Sequence, residues 1–136
     1  MPVRPCVLIV EDEPLIALDL QEAMLAGGFY VCGVAHTQAG ARSLADSEHP
    51  DVILMDVSLE GGREGIEAAR SLREAYGAEV IFVTGSTDQY TLDQIHQQVP
   101  GAPVLPKPVN HQRLAEAVGA ALQACLGSAT LEHALL

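Results

Sequence analysis

Four apolar runs in this sequence are each followed, directly or after one residue, by polar side chains that could take part in chemistry. Glu11 and Asp12 follow the first run, Asp56 the third, Thr84 the fourth and Lys107 the fifth. If these runs are parallel strands, their carboxyl ends meet at one edge of the sheet, where ligands bind in open α/β folds. The sequence therefore predicts one pocket that holds three carboxylates, one hydroxyl and one ammonium.

Such a pocket favours a divalent cation and phosphoryl transfer. Three neighbouring carboxylates repel one another and destabilise the folded chain unless a cation offsets their charge. Oxygen ligands without His or Cys suit Mg²⁺, with Mn²⁺ able to substitute. A metal beside a strand-end Asp and a Lys supplies a carboxylate nucleophile and two positive charges for a phosphoryl group. Each residue alone has an ordinary explanation as a turn former, helix cap or surface residue, so the interpretation depends on all five together.

The elements that must position these residues are five short strands. The apolar runs are Cys6–Val10, Tyr30–Val34, Val52–Met55, Val80–Val83 and Pro103–Leu105. Several are rich in β-branched residues with little polar alternation, as in strands buried on both faces. The segments between them are long enough for the crossovers that parallel strands require. We therefore expect an α/β fold, a doubly wound five-stranded parallel sheet with helices on both faces.

Helical periodicity and capping residues predict five helices in these connections. The first begins at Pro14 and ends at Gly27-Gly28, the second is capped by Thr37 and runs through Ser47, the third spans Ile66 to Tyr76, the fourth is capped by Thr87 or Asp88 and runs to about Gln97, and the fifth is capped by Asn110 and runs to Cys125. The first helix has a broad apolar face made of Leu15, Ile16, Leu18, Leu20, Ala23 and Leu25.

Charge and composition exclude several classes of function. Seven Lys and Arg against 18 Asp and Glu give a net charge of −11, which argues against binding to nucleic acid or to an anionic membrane. The longest apolar run is too short to span a bilayer or to form a secretory signal. The three cysteines, an odd number in apolar patterns, indicate reduced thiols rather than disulfides, and we expect a cytoplasmic protein.

Over roughly residues 5–125 the chain resembles the receiver domains of two-component response regulators. The matching pieces, in order, are Val7-Leu8-Ile9-Val10-Glu11-Asp12-Glu13-Pro14, Asp51-Val52-Ile53-Leu54-Met55-Asp56-Val57, Gly65-Ile66-Glu67-Ala68, Ile81-Phe82-Val83-Thr84-Gly85 and Leu105-Pro106-Lys107-Pro108. The resemblance implies the flavodoxin-like (βα)5 fold with strand order 2-1-3-4-5. It assigns residues 1–126 to the receiver domain and leaves 127–136 as a C-terminal tail, which we expect to pack locally or fray.

The resemblance also implies a role for each residue of the pocket. Asp56 would accept the phosphoryl group from a phosphohistidine. Asp12 and Asp56 would bind Mg²⁺ directly together with the backbone carbonyl of Ser58, and Glu11 would act through water. Thr84 and Lys107 would each contact a phosphoryl oxygen after transfer, and a cis peptide bond between Lys107 and Pro108 would aim the ammonium inward.

Two positions depart from the usual receiver pattern. The fifth strand carries Val104 where many receivers have a Tyr or Phe that rotates as the Thr moves, and Gly85 stands where Ala is common. The segment Phe82-Val83-Thr84-Gly85 is similar to a receiver subgroup with a Phe-x-Thr-Gly signature and no switch aromatic. The sequence therefore does not indicate which residues would transmit phosphorylation to the fourth helix in this chain.

By resemblance, the chain is a single-domain response regulator. Its phosphodonor would be a sensor histidine kinase or a phosphotransfer protein. Its output would be contacts with an unidentified downstream protein, phosphorelay, or service as a phosphate sink. The output surface would be the face of the fourth helix around Tyr90. We expect a monomer or weak homodimer that catalyses only its own phosphorylation and dephosphorylation.

Three alternative functions share parts of this pattern. A phosphatase of the haloacid dehalogenase type needs a second Asp two residues after the nucleophile, where this chain has Ser58. A receiver-like scaffold that is not phosphorylated would lack one of the acids or the lysine, and all are present. A flavodoxin-like cofactor binder shares the fold, but the chain has no Trp and few aromatic residues to stack on a flavin.

Overall fold

Five strands alternate with five helices along the chain. The computed structural model describes the backbone of residues 5–62 and 64–135 and the side chains of residues 5–62 and 64–125. The elements are β1 (Cys6–Val10), α1 (Pro14–Ala26), β2 (Tyr30–Ala35), α2 (Gln38–Glu48), β3 (Val52–Asp56), a short 3-10 turn (Leu59–Gly61), α3 (Glu64–Tyr76), β4 (Glu79–Thr84), α4 (Gln89–Gln98), β5 (Val104–Pro106) and α5 (His111–Leu135).

The strands form one parallel sheet in the order β2-β1-β3-β4-β5, as predicted. Val10 lies opposite Met55, and Asp56 lies opposite Val83. Because of this register, β1, β3 and β4 end at nearly the same level. The polar residues that follow them therefore reach the same edge.

The core is divided by the sheet into two apolar layers. Alternating residues of each strand point to opposite faces, so Leu8 and Val10 pack with α2, α3 and α4, whereas Val7 and Ile9 pack with α1 and α5. The central strands are fully buried on both faces, which explains why their sequences show no polar alternation. The doubly wound α/β architecture is confirmed.

Polar side chains cap three of the helices as the sequence predicts. Thr37 caps α2, Asp88 caps α4, and Asn110 caps α5, each accepting a hydrogen bond from a backbone N–H of the first turn at 2.8–3.0 Å. For α4 the structure decides between the two predicted candidates, because the cap is Asp88 and not Thr87.

The outer face of α1 differs from its prediction. The helix buries Ala17, Leu20, Ala23 and Met24, and it leaves Leu15, Leu18 and Leu25 exposed by 75%, 50% and 70% of their surface. The small alanines allow α1 to lie close to the sheet. The three leucines then lie on the side that faces solvent. Of the predicted apolar face, Leu20 and Ala23 are buried in the core, whereas these leucines are not.

The C-terminal helix continues beyond its predicted end. The helical spacing predicts an end at Cys125, but α5 extends to Leu135 and so enters the segment assigned to the tail. How the tail side chains pack lies outside the described residues. None of the helices in the described part of the chain is long and apolar enough to cross a membrane. Among the cysteines, all free, Cys6 is buried and the other two are half-buried.

Candidate functional site

Three carboxylates meet at the carboxyl edge of the sheet. Glu11 and Asp12 follow β1, Asp56 is the last residue of β3, and one oxygen of each lies within 4.8 Å of the others. The carboxylates of Glu11 and Asp56 are buried, whereas Asp12 is exposed at the rim. Their convergence follows from the sheet register, because β1 and β3 are neighbours and end together.

The Lys107 ammonium reaches this cluster from the end of β5. Its Nζ atom lies 2.8 Å from Oε1 of Glu11 and 3.2 Å from Oδ1 of Asp56, and only 18% of its side-chain surface is exposed. The Lys107 N–H donates to the carbonyl of Thr84 at 2.8 Å, which ties the loop to β4. The peptide bond between Lys107 and Pro108 is cis, as the resemblance to receiver domains predicts.

Burial and mutual contact alter the ionisation of the cluster. Burial, together with a hydrogen bond to Asp56, raises the pKa of Glu11 from 4.5 to about 7. Burial pushes the pKa of Asp12 upward, but hydrogen bonds with Glu11 and Asp56 outweigh it and lower this pKa. Burial lowers the pKa of Lys107, but the hydrogen bond with Glu11 outweighs burial, so the pKa of Lys107 is raised. The folded chain thus favours extra positive charge here, supplied by a proton or by a cation.

The donor set fits a hard divalent cation. Carboxylate oxygens are the ligands that Mg²⁺ prefers, and the three converging oxygens are close enough to share one ion. One of the three residues is exposed, so an ion could enter from solvent and keep water ligands. A bound cation would favour the ionised form of Glu11, which burial now disfavours most and the neighbouring Asp56 disfavours further.

Asp56 is held by the residues that follow it. Both the backbone N–H and the hydroxyl of Ser58 donate to Oδ1 of Asp56, at 3.1 and 3.2 Å. The Ser58 carbonyl, expected as a metal ligand, accepts a hydrogen bond from the Gly61 N–H at 2.9 Å. A carbonyl oxygen has a second lone pair, so the metal-ligand role of Ser58 stays a prediction.

Gly65 positions the end of β3 in a way that sequence reasoning missed. A Cβ atom on Gly65 would lie 1.9 Å from the backbone oxygen of Asp56, a distance that no side chain can occupy. Its N–H donates to the carbonyl of Val57 at 3.2 Å, so α3 begins in contact with the end of β3. The sequence contains two signals: Gly65 opens the matching piece Gly65-Ile66-Glu67-Ala68, and it directly precedes a predicted helix, where Gly has no propensity advantage.

Two further residues contact Asp12 and Glu11 from outside the strands. Oδ2 of Asp12 accepts a hydrogen bond from the Glu60 N–H at 3.2 Å, and Nδ1 of His36 lies 2.8 Å from the backbone oxygen of Glu11. Glu60 has a positive φ of 58°, which turns the loop after β3 toward Asp12. Neither contact could be predicted from spacing, because each joins residues far apart in the chain.

Thr84 lies at the same edge but contacts its own loop. Its hydroxyl accepts a hydrogen bond from the Ser86 N–H at 3.0 Å and donates to the Ser86 carbonyl at 2.9 Å. A cleft of about 220 Å³ lies beside it, lined by residues of the β3 and β4 ends and of α4: Val57, Ser58, Gly62, Thr84, Gly85, Ser86, Asp88 and Thr91. On β5, Val104 is half-buried opposite Phe82. Of the predicted residues, the structure thus brings together the three acids and Lys107, with Thr84 beside them.

Comparison with known proteins places this chain among signalling domains. Residues 7–119 match the family model described as the response regulator receiver domain. PhyR, the phyllosphere-induced regulator of Methylorubrum extorquens, is 39% identical over 85 residues, which are 62% of this chain and 32% of that protein. The transcriptional regulatory protein PdtaR of Mycobacterium tuberculosis is 37% identical over 78 residues, covering 57% of this chain and 38% of that protein. The matched region thus spans about a third of the length of these relatives.

Solved structures agree with the fold. The signal receiver domain of a modulated diguanylate cyclase from Desulfovibrio desulfuricans superimposes with a TM-score of 0.80 at 32% identity, covering 90% of this chain and 96% of that one. The response regulator PhyR from Brucella abortus gives a TM-score of 0.80 at 28% identity, covering 98% of this chain and 54% of that one. The similarity therefore extends over nearly the whole described structure.

Proposed function

We propose that this chain, which belongs to the response regulator receiver domain family, accepts a phosphoryl group on Asp56 in a Mg²⁺-dependent reaction. The donor would be the phosphohistidine of a sensor histidine kinase or of a phosphotransfer protein. The observation that carries the proposal is the setting of Asp56: a buried carboxylate at a strand end, with Lys107 at 3.2 Å and two more acids within reach of a shared cation. An isolated turn-forming Asp has no such setting.

The residues divide the reaction among them. A carboxylate oxygen of Asp56 attacks phosphorus, the P–N bond to the donor imidazole breaks, and the bonding electron pair leaves with that nitrogen. The N–H and hydroxyl of Ser58 and the ammonium of Lys107 orient the carboxylate. Lys107 then neutralises charge on one phosphoryl oxygen, and Thr84 would donate a hydrogen bond from its hydroxyl to another.

A metal ion in this pocket would be held by Asp12 and Asp56, by the carbonyl of Ser58, and by Glu11 through water. When bound, Mg²⁺ lowers the repulsion between the incoming phosphoryl oxygens and the acids. Lys107 would then have to leave Glu11, to which it now lies closer than to Asp56. The same acids and lysine argue against a scaffold that is never phosphorylated.

The donor has a docking surface next to the site. A groove of about 370 Å³ runs from Lys107, Pro108 and Val109 to the first turns of α1, where Leu15 is 75% exposed. The α1 helix contains no Lys or Arg, and the exposed side chain of Asp19 pairs with His111 at the rim. An amphipathic donor helix with basic residues beside an apolar stripe would fit this surface.

The output would be a change in protein contacts rather than an activity of the chain itself. We assign residues 1–126 to the receiver domain and 127–136 to a tail, and place the protein in the cytoplasm as a monomer or weak homodimer. Tyr90 on α4, 57% exposed, marks the output face for a downstream protein, a phosphorelay partner or a kinase whose phosphate is drained. The phosphatase alternative is disfavoured by Ser58, which cannot act as its acid or base.

The test is phosphoryl transfer from a panel of purified, autophosphorylated histidine kinases, with and without Mg²⁺. We expect label on the wild type in Mg²⁺ only, and none on Asp56→Asn. Asp93→Asn, which changes an exposed acid on α4, is the matched control and should be labelled like the wild type. Equal labelling of Asp56→Asn would disprove the assignment. Labelling by acetyl phosphate gives a second measurement that needs no cognate kinase.

A further inference from the structure

The Thr84 hydroxyl cannot serve a phosphoryl group without changing its present contacts. A hydroxyl has one proton, and that of Thr84 is donated to the carbonyl of Ser86 at 2.9 Å. Its oxygen also accepts the Ser86 N–H at 3.0 Å. If Thr84 is to donate to a phosphoryl oxygen, the bond to the Ser86 carbonyl must break. Any movement of Thr84 therefore changes the hydrogen bonds of Ser86 first.

Ser86 is in turn connected to the start of α4. Its hydroxyl donates to the carboxylate of Asp88. Asp88 is the N-cap of α4, accepting hydrogen bonds from the backbone N–H of Thr91 at 2.8 Å and from its hydroxyl at 3.1 Å. Thr84, Ser86, Asp88 and Thr91 all line the cleft beside Ser58, next to Asp56. An unbroken series of hydrogen bonds thus leads from the pocket to the first turn of α4.

We propose that Ser86 is a positioning residue that couples Thr84 to α4 through the N-cap Asp88. The proposal rests on the proposed function, in which Thr84 contacts the phosphoryl group. Val104 supplies no aromatic ring to transmit that movement, so another connection is needed. Ser86 and Asp88 are both exposed, so water can replace either partner when their hydrogen bond breaks, whereas Thr91 is buried and joins the cap to the first turn of α4.

The experiment removes the hydrogen bond between the Ser86 hydroxyl and Asp88, and it leaves Thr84 and Thr91 unchanged. Ser86→Ala removes the contact with Asp88 but keeps the backbone groups that bind Thr84. Ser47→Ala is the matched control, because Ser47 is an exposed serine on α2 whose hydroxyl donates to the carbonyl of Leu44. Amide NMR shifts at positions 86 and 91 are followed during titration with beryllofluoride in Mg²⁺. Urea unfolding of each variant checks that the fold is retained.

In the wild type and in Ser47→Ala, the amides at positions 86 and 91 should shift together with one dissociation constant. In Ser86→Ala the amide at position 86 should still shift, whereas the shift at Thr91 should fall to roughly half or less of its wild-type size. Asp88→Asn keeps a good N-cap but loses one acceptor oxygen, and should uncouple Thr91 in the same way.

An unchanged Thr91 shift in Ser86→Ala would overturn the coupling role while leaving the proposed function standing. A wild type whose amides show no saturable response to beryllofluoride would overturn both. The two failures are therefore distinguishable in one titration series.

Discussion

The ends of β3 and β4 lie side by side in the sheet but differ in how firmly they are held. At the end of β3, Asp56 is buried, bonded to Ser58 and Lys107, and closed over by the backbone of Gly65. At the end of β4, Thr84 is equally buried, but every residue from 85 to 90 is exposed. The chain thus fixes the group that would react and leaves open the loop that would respond to the reaction.

This difference has an energetic cause. The β3 end concentrates charge that the folded chain must neutralise, so its contacts are numerous and cannot be lost one at a time. The β4 loop is held by single hydrogen bonds that each have at least one exposed partner, and each is worth about 0.5–1.5 kcal/mol. A rigid site and a responsive loop can therefore be neighbours in the same sheet.

The largest expected effect is that of Gly65→Ala. The added Cβ would meet the backbone oxygen of Asp56 at 1.9 Å, so α3 or the end of β3 must move. We expect a loss of about 3 kcal/mol in the free energy of unfolding and loss of phosphoryl labelling at Asp56. Gly119→Ala in α5, where a Cβ meets nothing within 4 Å, is the control and should be neutral or stabilising. If Gly65→Ala keeps the stability and labelling of the wild type, the end of β3 can shift at little cost and is not rigid.

The next effect is a pH dependence of stability in metal-free solution. Because the pKa of Glu11 is raised from 4.5 to about 7, the folded state binds more protons than the unfolded state in this interval. The stabilising contribution of Glu11 is complete below pH 4.5 and is lost as the pH rises through 7, a fall on the order of 3 kcal/mol. Urea unfolding with EDTA measures it. The fall should largely disappear in Glu11→Gln and persist in Glu13→Gln, and persistence in both would contradict this origin.

A smaller effect is expected from Mg²⁺ at neutral pH. At ten times its dissociation constant, an ion bound only by the folded chain adds about 1.4 kcal/mol to the free energy of unfolding. Hydrogen exchange should slow at positions 56–58 and stay unchanged at 85–88, since the acids lie at the β1 and β3 ends. Asp12→Asn, an exposed change, should abolish most of the gain in the urea midpoint. An equal gain in this variant would place the ion elsewhere.

The sequence was sufficient to predict most of the fold and the gathering of the site. Buried strands follow from runs of apolar residues, and caps follow from side-chain chemistry at Thr37, Asp88 and Asn110. Once the strands are parallel and end at one level, Asp12 and Asp56 must come together. These are consequences of local pattern and of one topological rule.

What the sequence could not predict depends on distances between elements. The helical spacing of apolar residues predicts an apolar face on α1. It does not predict that Ala17 is buried whereas Leu15 is exposed to solvent. The approach of Gly65 to Asp56 likewise depends on the exact seating of α3, a matter of tenths of an ångström. Propensity and spacing carry no information at that scale.

The smallest expected effect, and the one that completes the contrast with Gly65, is that of Gly85→Ala. A Cβ at position 85 meets nothing within 4 Å, and Gly85 does not have a positive φ, so the folded state accepts the methyl group. Because alanine restricts the unfolded chain, we expect a gain of about 0.4–1 kcal/mol in urea unfolding. Phosphoryl labelling at Asp56 should be unchanged, since the loop does not hold that carboxylate. A destabilisation as large as that of Gly65→Ala would mean that the β4 end is as tightly constrained as the β3 end, and the division between a fixed site and an open loop would fail.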